Sequence, residues 1–371
     1  MRDSRAFAPV RSRQVFYFHG FDPASVKRYR RIFEASSERL GLDVEDVPET
    51  PDGWLARRRR AVTRVHHARY ADQVRAFQDK GMFARLGRGI RSLVGYCLDG
   101  SGLRIARRAP RAGVLALSPV LATVLPFTIT AAILRPSGPV DLAILLIIGV
   151  LLVLLARHLF LLLVADLFAF YRELAGGTSD VAEAYAARIA ELSDSIPLNR
   201  TDERVIVGHS LGGIGAILAA ARLLERMPTT ARLSLVTLGS NHGLILLQRG
   251  AGRDRLAKAI STLAWDPRVF WLDVSSPRDA FCVPLTDPLL LIQAEKGMRS
   301  PRVISAQLAN APKIPGDRRT VFAAMRRHMA YLLPPSEDAA FDYVSTITGP
   351  KSLEEQFADR RNSPKARMWQ P

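Results

Sequence analysis

The sequence predicts an α/β fold in which a mostly parallel sheet carries helices on both faces and is interrupted by a two-helix membrane hairpin. Two observations lead to this prediction. Short runs of β-branched and aromatic residues alternate with helical segments near both ends of the chain, which is the pattern of βαβ units. Two long apolar runs separate these regions, so the hairpin is expected to be an insertion between two parts of one sheet.

The composition excludes a disordered chain. Of the 371 residues, 48% are hydrophobic and 23% are charged, which is enough apolar material for a large core. The only cysteines, Cys97 and Cys282, fit neither a disulfide framework nor a zinc site, so a reducing compartment and no metal are expected. Residues 1–10 are polar, and no cleavable secretion signal is expected.

The first β/α region opens with a short aromatic and β-branched run at residues 14–19, which predicts a buried strand. A helix is predicted over residues 24–40, and a second strand over 42–47, where apolar and acidic residues alternate. Pro48, Pro51 and Gly53 then mark a loop. A basic helical segment is predicted from about residue 54 to residue 83, with a glycine-punctuated linker after it.

Two apolar runs predict the membrane hairpin. Residues 112–134 contain no charge over 23 positions, which is long enough to cross a bilayer core of about 30 Å. Residues 140–156 form the second run with Asp141 as its only charge, and the apolar character continues past Arg157 and His158 to residue 164. A pair of buried core helices is the alternative, but buried helices rarely need so long an uncharged run.

Flanking charge predicts the orientation of the hairpin. Residues 56–111 hold 15 Lys and Arg against three acidic residues, whereas the connector between the apolar runs holds only Arg135. Both ends are therefore expected in the cytoplasm, at an inner or plasma membrane. We expect the four-arginine run at 57–60 to contact anionic lipid; a solvated helix and nucleic-acid binding are the alternatives. No recognised nucleic-acid module accompanies the run.

The β/α alternation resumes after the hairpin. A helix is predicted over 180–192, and later elements are predicted as strands at 204–207, 232–238 and 269–274 and helices at 211–227, 258–264 and 320–332. The tail from residue 351 is expected to be loose. The predicted organisation is two parts of one α/β domain (1–53 and 201–350), a basic helical segment (54–111), the hairpin (112–165), a connecting helix (166–200) and the flexible tail (351–371).

One motif carries chemistry. Residues 208–212 read GHSLG, which fits G-x-S-x-G, and they lie between a predicted strand and a predicted helix, as that motif requires. The sharp turn forces strained backbone at Ser210 and presents its hydroxyl above the sheet. Gly208 and Gly212 lack Cβ atoms, so neighbouring chain can pack close to the turn. An ordinary serine in a glycine-rich turn is the alternative.

By this motif the chain resembles the α/β-hydrolase family, whose lipases and esterases often carry GHSLGG. A second resembling segment is HGF at residues 19–21, at the end of the first strand. The resemblance covers about residues 14–47 and 201–333. It implies that the backbone N–H groups of Phe21 and Leu211 form an oxyanion hole, and that no cofactor takes part.

The family's chain order of serine, acid and histidine implies the remaining catalytic residues. Asp279 follows the predicted strand at 269–274 and is our candidate acid; Asp273, within that strand, and Asp287 are the alternatives. His328 is the only histidine after Asp279, whereas His242 precedes every candidate acid. The resemblance therefore implies a triad of Ser210, Asp279 and His328.

The function expected from these features is a membrane-anchored serine hydrolase of the esterase or lipase kind, facing the cytoplasm. A site held near a bilayer favours a lipid or acyl ester as substrate. The alternative is a non-catalytic α/β-hydrolase-fold protein that uses its hairpin for assembly or partner binding. Complete triad candidates count against that alternative, since a scaffold has no physical need for them.

Overall fold

An eight-stranded sheet organises the computed structural model, which describes residues 9–23, 25–47, 52–158, 160–306, 323–335 and 341–368. Its spatial order is β2-β3-β4-β1-β5-β6-β7-β8; β3 runs antiparallel to both of its neighbours, and every other pair is parallel. The strands are β1 Ser12–Phe18, β2 Asp43–Asp46, β3 Gly53–Arg58, β4 Ala61–His67, β5 Glu203–His209, β6 Leu233–Leu238, β7 Val269–Ser275 and β8 Arg302–Ser305.

Helices connect and cover these strands. They are α1 Ser25–Arg39, α2 Ala71–Gln78, α3 Met82–Leu98, α4 Ser101–Arg108, α5 Pro110–Leu134, α6 Pro139–His158, α7 Leu161–Gly176, α8 Asp180–Asp194, α9 Gly212–Arg226, α10 His242–Leu246, α11 Ala251–Trp265, α12 Pro288–Ile292, α13 Ala323–Met329, α14 Tyr343–Thr348 and α15 Leu353–Phe357. Every residue of β5 and β6 is buried, as expected of parallel strands covered on both faces. The predicted α/β class with a mostly parallel sheet is confirmed.

The predicted basic helix at 54–83 is wrong over its first half. Two strands, β3 and β4, occupy that stretch, and only α2 and the start of α3 are helical there. In β4, buried residues alternate with half-exposed ones, which is the period of a strand with one face on the core. The arginines of this stretch hide the strand pattern in the sequence. The segment is nevertheless a strand, because β4 pairs with β1, about fifty residues earlier in the chain.

The four-arginine run therefore covers the last two residues of β3 and the hairpin turn between β3 and β4, where Arg59 adopts φ 53°. This turn is at the amino end of β4, beside the start of β1. Because β1, β4 and β5 are parallel, the turn lies at the edge of the sheet opposite Ser210, which follows the carboxyl end of β5. The helix expected at 57–60 is therefore corrected to the end of β3 and the turn that follows it, whereas contact of this run with anionic lipid stays a prediction.

The expected loose tail is wrong for the part that the structure describes. Leu353 and Phe357 of α15 are buried in the core, and the Leu353 N–H donates a 2.7 Å hydrogen bond to Glu203. Near residue 367 the chain bridges to Thr286. Of the other predicted features, residues 1–8, Pro48, Pro51, residues 320–322 and residues 369–371 lie outside the described residues.

The two apolar runs form α5 and α6, which pack against each other and expose most of their apolar side chains. In the part of the chain that the structure describes, α5 is the one helix long and apolar enough to cross a membrane, and only 12% of its most apolar window is buried. Residues Pro139–Leu152 of α6 form a shorter apolar helix. The alternative of buried core helices is therefore contradicted by the exposure of α5.

A third helix, α7, carries on from the hairpin into the α/β domain. The apolar residues up to 164, expected to continue the hairpin, instead belong to α7, and Leu162 and Val164 are buried. Buried Asp166 pairs with Arg85 and Arg88 of α3, which ties α7 to the domain. The start of α5 is held at the carboxyl edge of the sheet, because Arg111 donates a hydrogen bond to the Pro277 carbonyl, just after β7. The hairpin thus leaves the domain on the same side as Ser210.

Candidate active site

The turn between β5 and α9 holds Ser210 in a left-handed conformation with φ 58°. A non-glycine residue rarely adopts this conformation, and such strain clusters at functional sites. The Ser210 N–H donates to the Leu238 carbonyl at 3.0 Å, which fixes the turn against β6. The strained turn that the GHSLG motif predicts is therefore present.

The two glycines of the motif are required by close packing. A Cβ added at Gly208 would lie 2.4 Å from the Gly212 carbonyl oxygen, and one added at Gly212 would lie 2.0 Å from the Phe18 carbonyl oxygen. Both distances are far inside van der Waals contact with backbone that cannot give way. The glycines therefore allow β5, α9 and the end of β1 to meet at the turn.

The structure brings His328 and Asp279 together. His328 Nδ1 lies 2.9 Å from Asp279 Oδ2, and both side chains are buried. The Tyr331 hydroxyl donates to the same carboxylate oxygen at 3.0 Å, and the Phe281 N–H donates to Oδ1 at 2.8 Å. Burial by itself would raise the pKa of Asp279, but the charge of His328 and these hydrogen bonds hold that pKa below its ordinary value. Asp279 is therefore an ionised partner for the imidazole.

The other ring nitrogen of His328 is left unused. Nε2 is buried and has no hydrogen-bond partner in the described residues. His328 and Ser210 line the same narrow cavity of about 30 Å³, together with Phe21, Leu163 and Leu167. In the described residues, ring nitrogens of His19, His66, His67 and His209 are also buried without a partner, but only His328 bonds through its other ring nitrogen to a carboxylate.

The Ser210 hydroxyl bonds to Asn241 and not to His328. Its Oγ donates to Asn241 Oδ1 at 3.0 Å, and the amide of Asn241 donates in turn to the Phe281 carbonyl. Asn241 is fully buried. Our sequence reasoning missed this residue, although its position directly after β6, at the carboxyl edge where open α/β sheets bind ligands, was a usable signal.

The segment at residues 19–21 passes directly beside the serine. A Cβ on Gly20 would lie 3.1 Å from Ser210 Cβ, so this stretch runs in contact with the nucleophilic turn. Phe21 lines the cavity, and Leu211 is the cap residue that precedes α9. His19 is fully buried, and this burial lowers its pKa to about 4, so it is neutral at pH 7.

A buried ion pair lies next to the same segment. Arg28 Nη1 is 2.6 Å from Asp22 Oδ2, and both residues line the cavity. A buried pair of this kind fixes the local geometry, because breaking it leaves an uncompensated charge. The sequence offered no signal for it, since six residues separate the partners and neither belongs to a motif.

The alternative acids and bases lie elsewhere. Asp273 accepts a 2.5 Å hydrogen bond from Thr237, and burial, with the nearby charge of Asp287, raises its pKa to about 7. Asp287 caps α12 by accepting from the Leu289 N–H. His242 lies 2.8 Å from the Ser240 hydroxyl, and burial lowers its pKa to about 4.

The eight-stranded, mostly parallel sheet and the strained strand–serine–helix turn define a protein of the α/β-hydrolase type. Residues 164–242 match the family model described as lipase (class 3), a segment that runs from α7 through Ser210 to the start of α10. That family consists of serine lipases, and the match indicates that this chain is a lipase-like serine hydrolase acting on ester bonds. No match was found among curated proteins or among solved structures.

Proposed function

We propose that the protein is a membrane-anchored serine hydrolase that cleaves a lipid or other acyl ester through Ser210, His328 and Asp279. One observation carries the proposal. His328 is held by Asp279 through one ring nitrogen, and its other ring nitrogen is unpartnered in the cavity that Ser210 also lines. A base oriented by a carboxylate beside a serine is the arrangement that activates a hydroxyl for acyl transfer.

The reaction begins when the Ser210 hydroxyl turns from Asn241 to His328 Nε2. His328 takes the hydroxyl proton as Oγ attacks the ester carbonyl, and the backbone N–H groups of Phe21 and Leu211 stabilise the resulting oxyanion. Protonated His328 then gives its proton to the departing alcohol, which leaves an acyl group on Ser210. Water, deprotonated by His328, attacks this acyl-enzyme and releases the acid. Ionised Asp279 holds the imidazole in the required tautomer throughout.

The hairpin supports anchoring in a membrane. With 25 residues at about 1.5 Å rise each, α5 exceeds the bilayer core, and most of its surface is apolar and uncovered. The basic residues before α5, with only Arg135 in the connector, favour a cytoplasmic domain that also meets anionic lipid. Removal of the protein from membranes by a carbonate wash would contradict this part of the proposal.

The apolar residues that line the cavity favour a lipid as the substrate. Leu163 and Leu167 belong to α7, the helix that follows the hairpin, and both line the cavity over Ser210. An apolar wall beside the nucleophile suits an acyl chain, and the hairpin would hold that wall close to the bilayer surface. The substrate we expect is therefore an ester whose acyl chain comes from the membrane.

Labelling with a fluorophosphonate, which reacts with activated serines, tests the proposal on the full chain in detergent. We expect labelling of the wild type and of Ser195→Ala, a control at an exposed serine, and none of Ser210→Ala. Labelling of folded Ser210→Ala at the wild-type level would contradict the assignment of Ser210 as the nucleophile. Absence of both labelling and ester cleavage in the wild type would favour the non-catalytic scaffold.

A further inference from the structure

A groove of about 680 Å³, here called the arginine groove, lies between the helix before the hairpin and the α/β domain. Its walls carry five arginines, Arg104, Arg107 and Arg108 from α4 and Arg249 and Arg253 from the chain around the start of α11. Among the lining residues that the structure describes, Asp254 is the single carboxylate. The groove therefore concentrates positive charge far in excess of what its own residues neutralise.

Several of these guanidinium groups are available to a ligand. Within the described residues, no hydrogen bond or ion pair engages the side chains of Arg107 and Arg249, and both are exposed. Arg104 donates to the Leu247 and Asp99 carbonyls, but its Nη2 is buried without a hydrogen-bond partner. A buried donor without a partner costs free energy, and an anion in the groove would relieve that cost.

The neighbouring cavity of about 320 Å³ provides a contrast. It shares Arg249 with the arginine groove, yet its Arg88 pairs with Asp166 and its Arg172 pairs with Asp99. Two of its four arginines therefore hold α3 and α7 together. Among the residues that the structure describes, the contact of Arg253 with Asp254 is the one ion pair within the arginine groove.

The position of the groove indicates where the anion comes from. Arg107 and Arg108 are the last residues of α4, and α5 begins two residues after Arg108. The two helices pack closely, since a Cβ on Gly113 would lie 3.1 Å from Ala106 Cα. The groove thus lies at the foot of the hairpin, where the membrane anchoring proposed above would place the lipid headgroups. It shares no lining residue with the cavity over Ser210.

We propose that the arginine groove binds the phosphate headgroup of an anionic membrane lipid that is not the substrate. Guanidinium groups suit phosphate because their planar N–H pairs match two of its oxygens. Arg104 and Arg107 come from the helix next to the membrane, and Arg249 and Arg253 come from the hydrolase domain, so a bound headgroup would hold the domain against the bilayer. The proposal rests on the membrane anchoring proposed above but not on the chemistry of Ser210.

Binding of fluorescent phosphatidic acid to the full chain in neutral detergent, at fixed salt, tests this site. The variant Arg249→Gln/Arg253→Gln removes two groove charges from the hydrolase side, and Arg31→Gln/Arg200→Gln removes two exposed charges outside the groove. At about 1 kcal/mol for each basic residue near a membrane surface, we expect at least about tenfold weaker binding by the groove variant and little change in the control. If the double variant unfolds at a lower temperature than the wild type, the single variant Arg107→Gln, at an exposed position of α4, provides a second test of binding.

Equal affinity of the wild type and both groove variants would overturn the proposal. Inorganic phosphate and glycerol 3-phosphate form the second arm; if they bind as tightly as the lipid, the site serves a free phosphate compound and the lipid assignment is wrong. Hydrolysis of a soluble short-chain ester is measured in parallel. Unchanged hydrolysis in the groove variants separates failure of this site from failure of the proposed catalytic function.

Discussion

At the amino edge of the sheet, buried Arg13 donates four hydrogen bonds and pairs with Glu203, whereas at the carboxyl edge His328 is equally buried and leaves Nε2 without a partner in the described residues. The Arg13 donors reach Glu203 and the carbonyls of residues 347, 349 and 351. Glu203 in turn accepts from Ser234 and from the Leu353 N–H. Arg13 and His328 therefore differ in how far their own polar atoms are satisfied, although Gln14 Oε1 and Arg204 Nε at the amino edge also lack a partner in the described residues.

This difference separates residues that hold the fold from residues that do chemistry. A saturated buried network specifies structure, and breaking it destabilises the protein. Backbone strain and a buried ring nitrogen without a partner lower stability, and they persist only where the surrounding structure enforces them. We therefore expect variants at the carboxyl edge to lose activity with little loss of stability, and variants at the amino edge to do the reverse.

The largest expected effect is on turnover in Ser210→Ala and His328→Ala. Each should lower ester turnover by about 10⁶-fold, and the double variant should be scarcely worse than either single one, because the two residues act as a unit. Thermal melts of Ser210→Ala should stay close to wild type because the change removes only a hydroxyl. His328→Ala also removes the buried partner of Asp279, so its turnover is compared per folded molecule. Additive losses in the double variant would contradict a shared role for the two residues.

Asp279→Asn should lower turnover by about 10⁴-fold, because the amide no longer selects the imidazole tautomer in which Nε2 accepts the serine proton. Asp273→Asn is the matched control, a buried aspartate of the same edge that accepts a hydrogen bond from Thr237. Its turnover should stay near that of the wild type. The reverse ranking of the two variants would move the catalytic acid to Asp273.

At the amino edge, Arg13→Met should lower the free energy of unfolding by about 3–5 kcal/mol, the usual cost of leaving one charge of a buried pair alone. Arg13→Met/Glu203→Leu should recover part of that loss because no charge remains unpaired. Denaturant unfolding measures both changes, and turnover per folded molecule should match the wild type. If Arg13→Met lost turnover while its stability stayed unchanged, the proposed division between a structural amino edge and a catalytic carboxyl edge would be contradicted.

The last prediction concerns the pH dependence of stability. The pKa of Asp273 is raised to about 7 in the folded chain, above its ordinary value near 4, so unfolding between these pH values releases a proton. Stability should therefore fall as pH rises from about 4 to 7, with a slope of at most about 1.4 kcal/mol per pH unit, and stay lower above pH 7. Asp273→Asn should remove this contribution. Identical pH–stability profiles for the two proteins would contradict the raised pKa.

Local signals in the sequence were enough to predict the nucleophilic turn. The strand, Ser210 and the helix are contiguous, and the glycines at 208 and 212 meet backbone that is part of the same motif or of the strand beside it. Asp279 and His328 follow from the chain order of the resembling family, and the structure places them in contact. These predictions needed no knowledge of distant packing.

Other parts depend on distant contacts and were mispredicted or missed. β3 and β4 are strands because β4 pairs with β1, and their arginines hid the alternation of buried residues. The tail is ordered because Leu353 bonds to Glu203, 150 residues earlier. Asn241 approaches Ser210 only because β5 and β6 are neighbours in the sheet. No local pattern encodes the pairing of β4 with β1 or the bond of Leu353 to Glu203, whereas the position of Asn241 after β6 was a usable signal.

The central claim is that Ser210 becomes acylated during turnover. Mass spectrometry of the full chain, quenched with acid while it hydrolyses an acyl ester, tests this claim most directly. Slow substrates and the variant Asp279→Asn extend the time in which an intermediate accumulates. The account predicts an added mass equal to the acyl group on the peptide that contains Ser210, and none in Ser210→Ala. Sustained ester cleavage by a folded Ser210→Ala protein, or acylation of another residue, would contradict it.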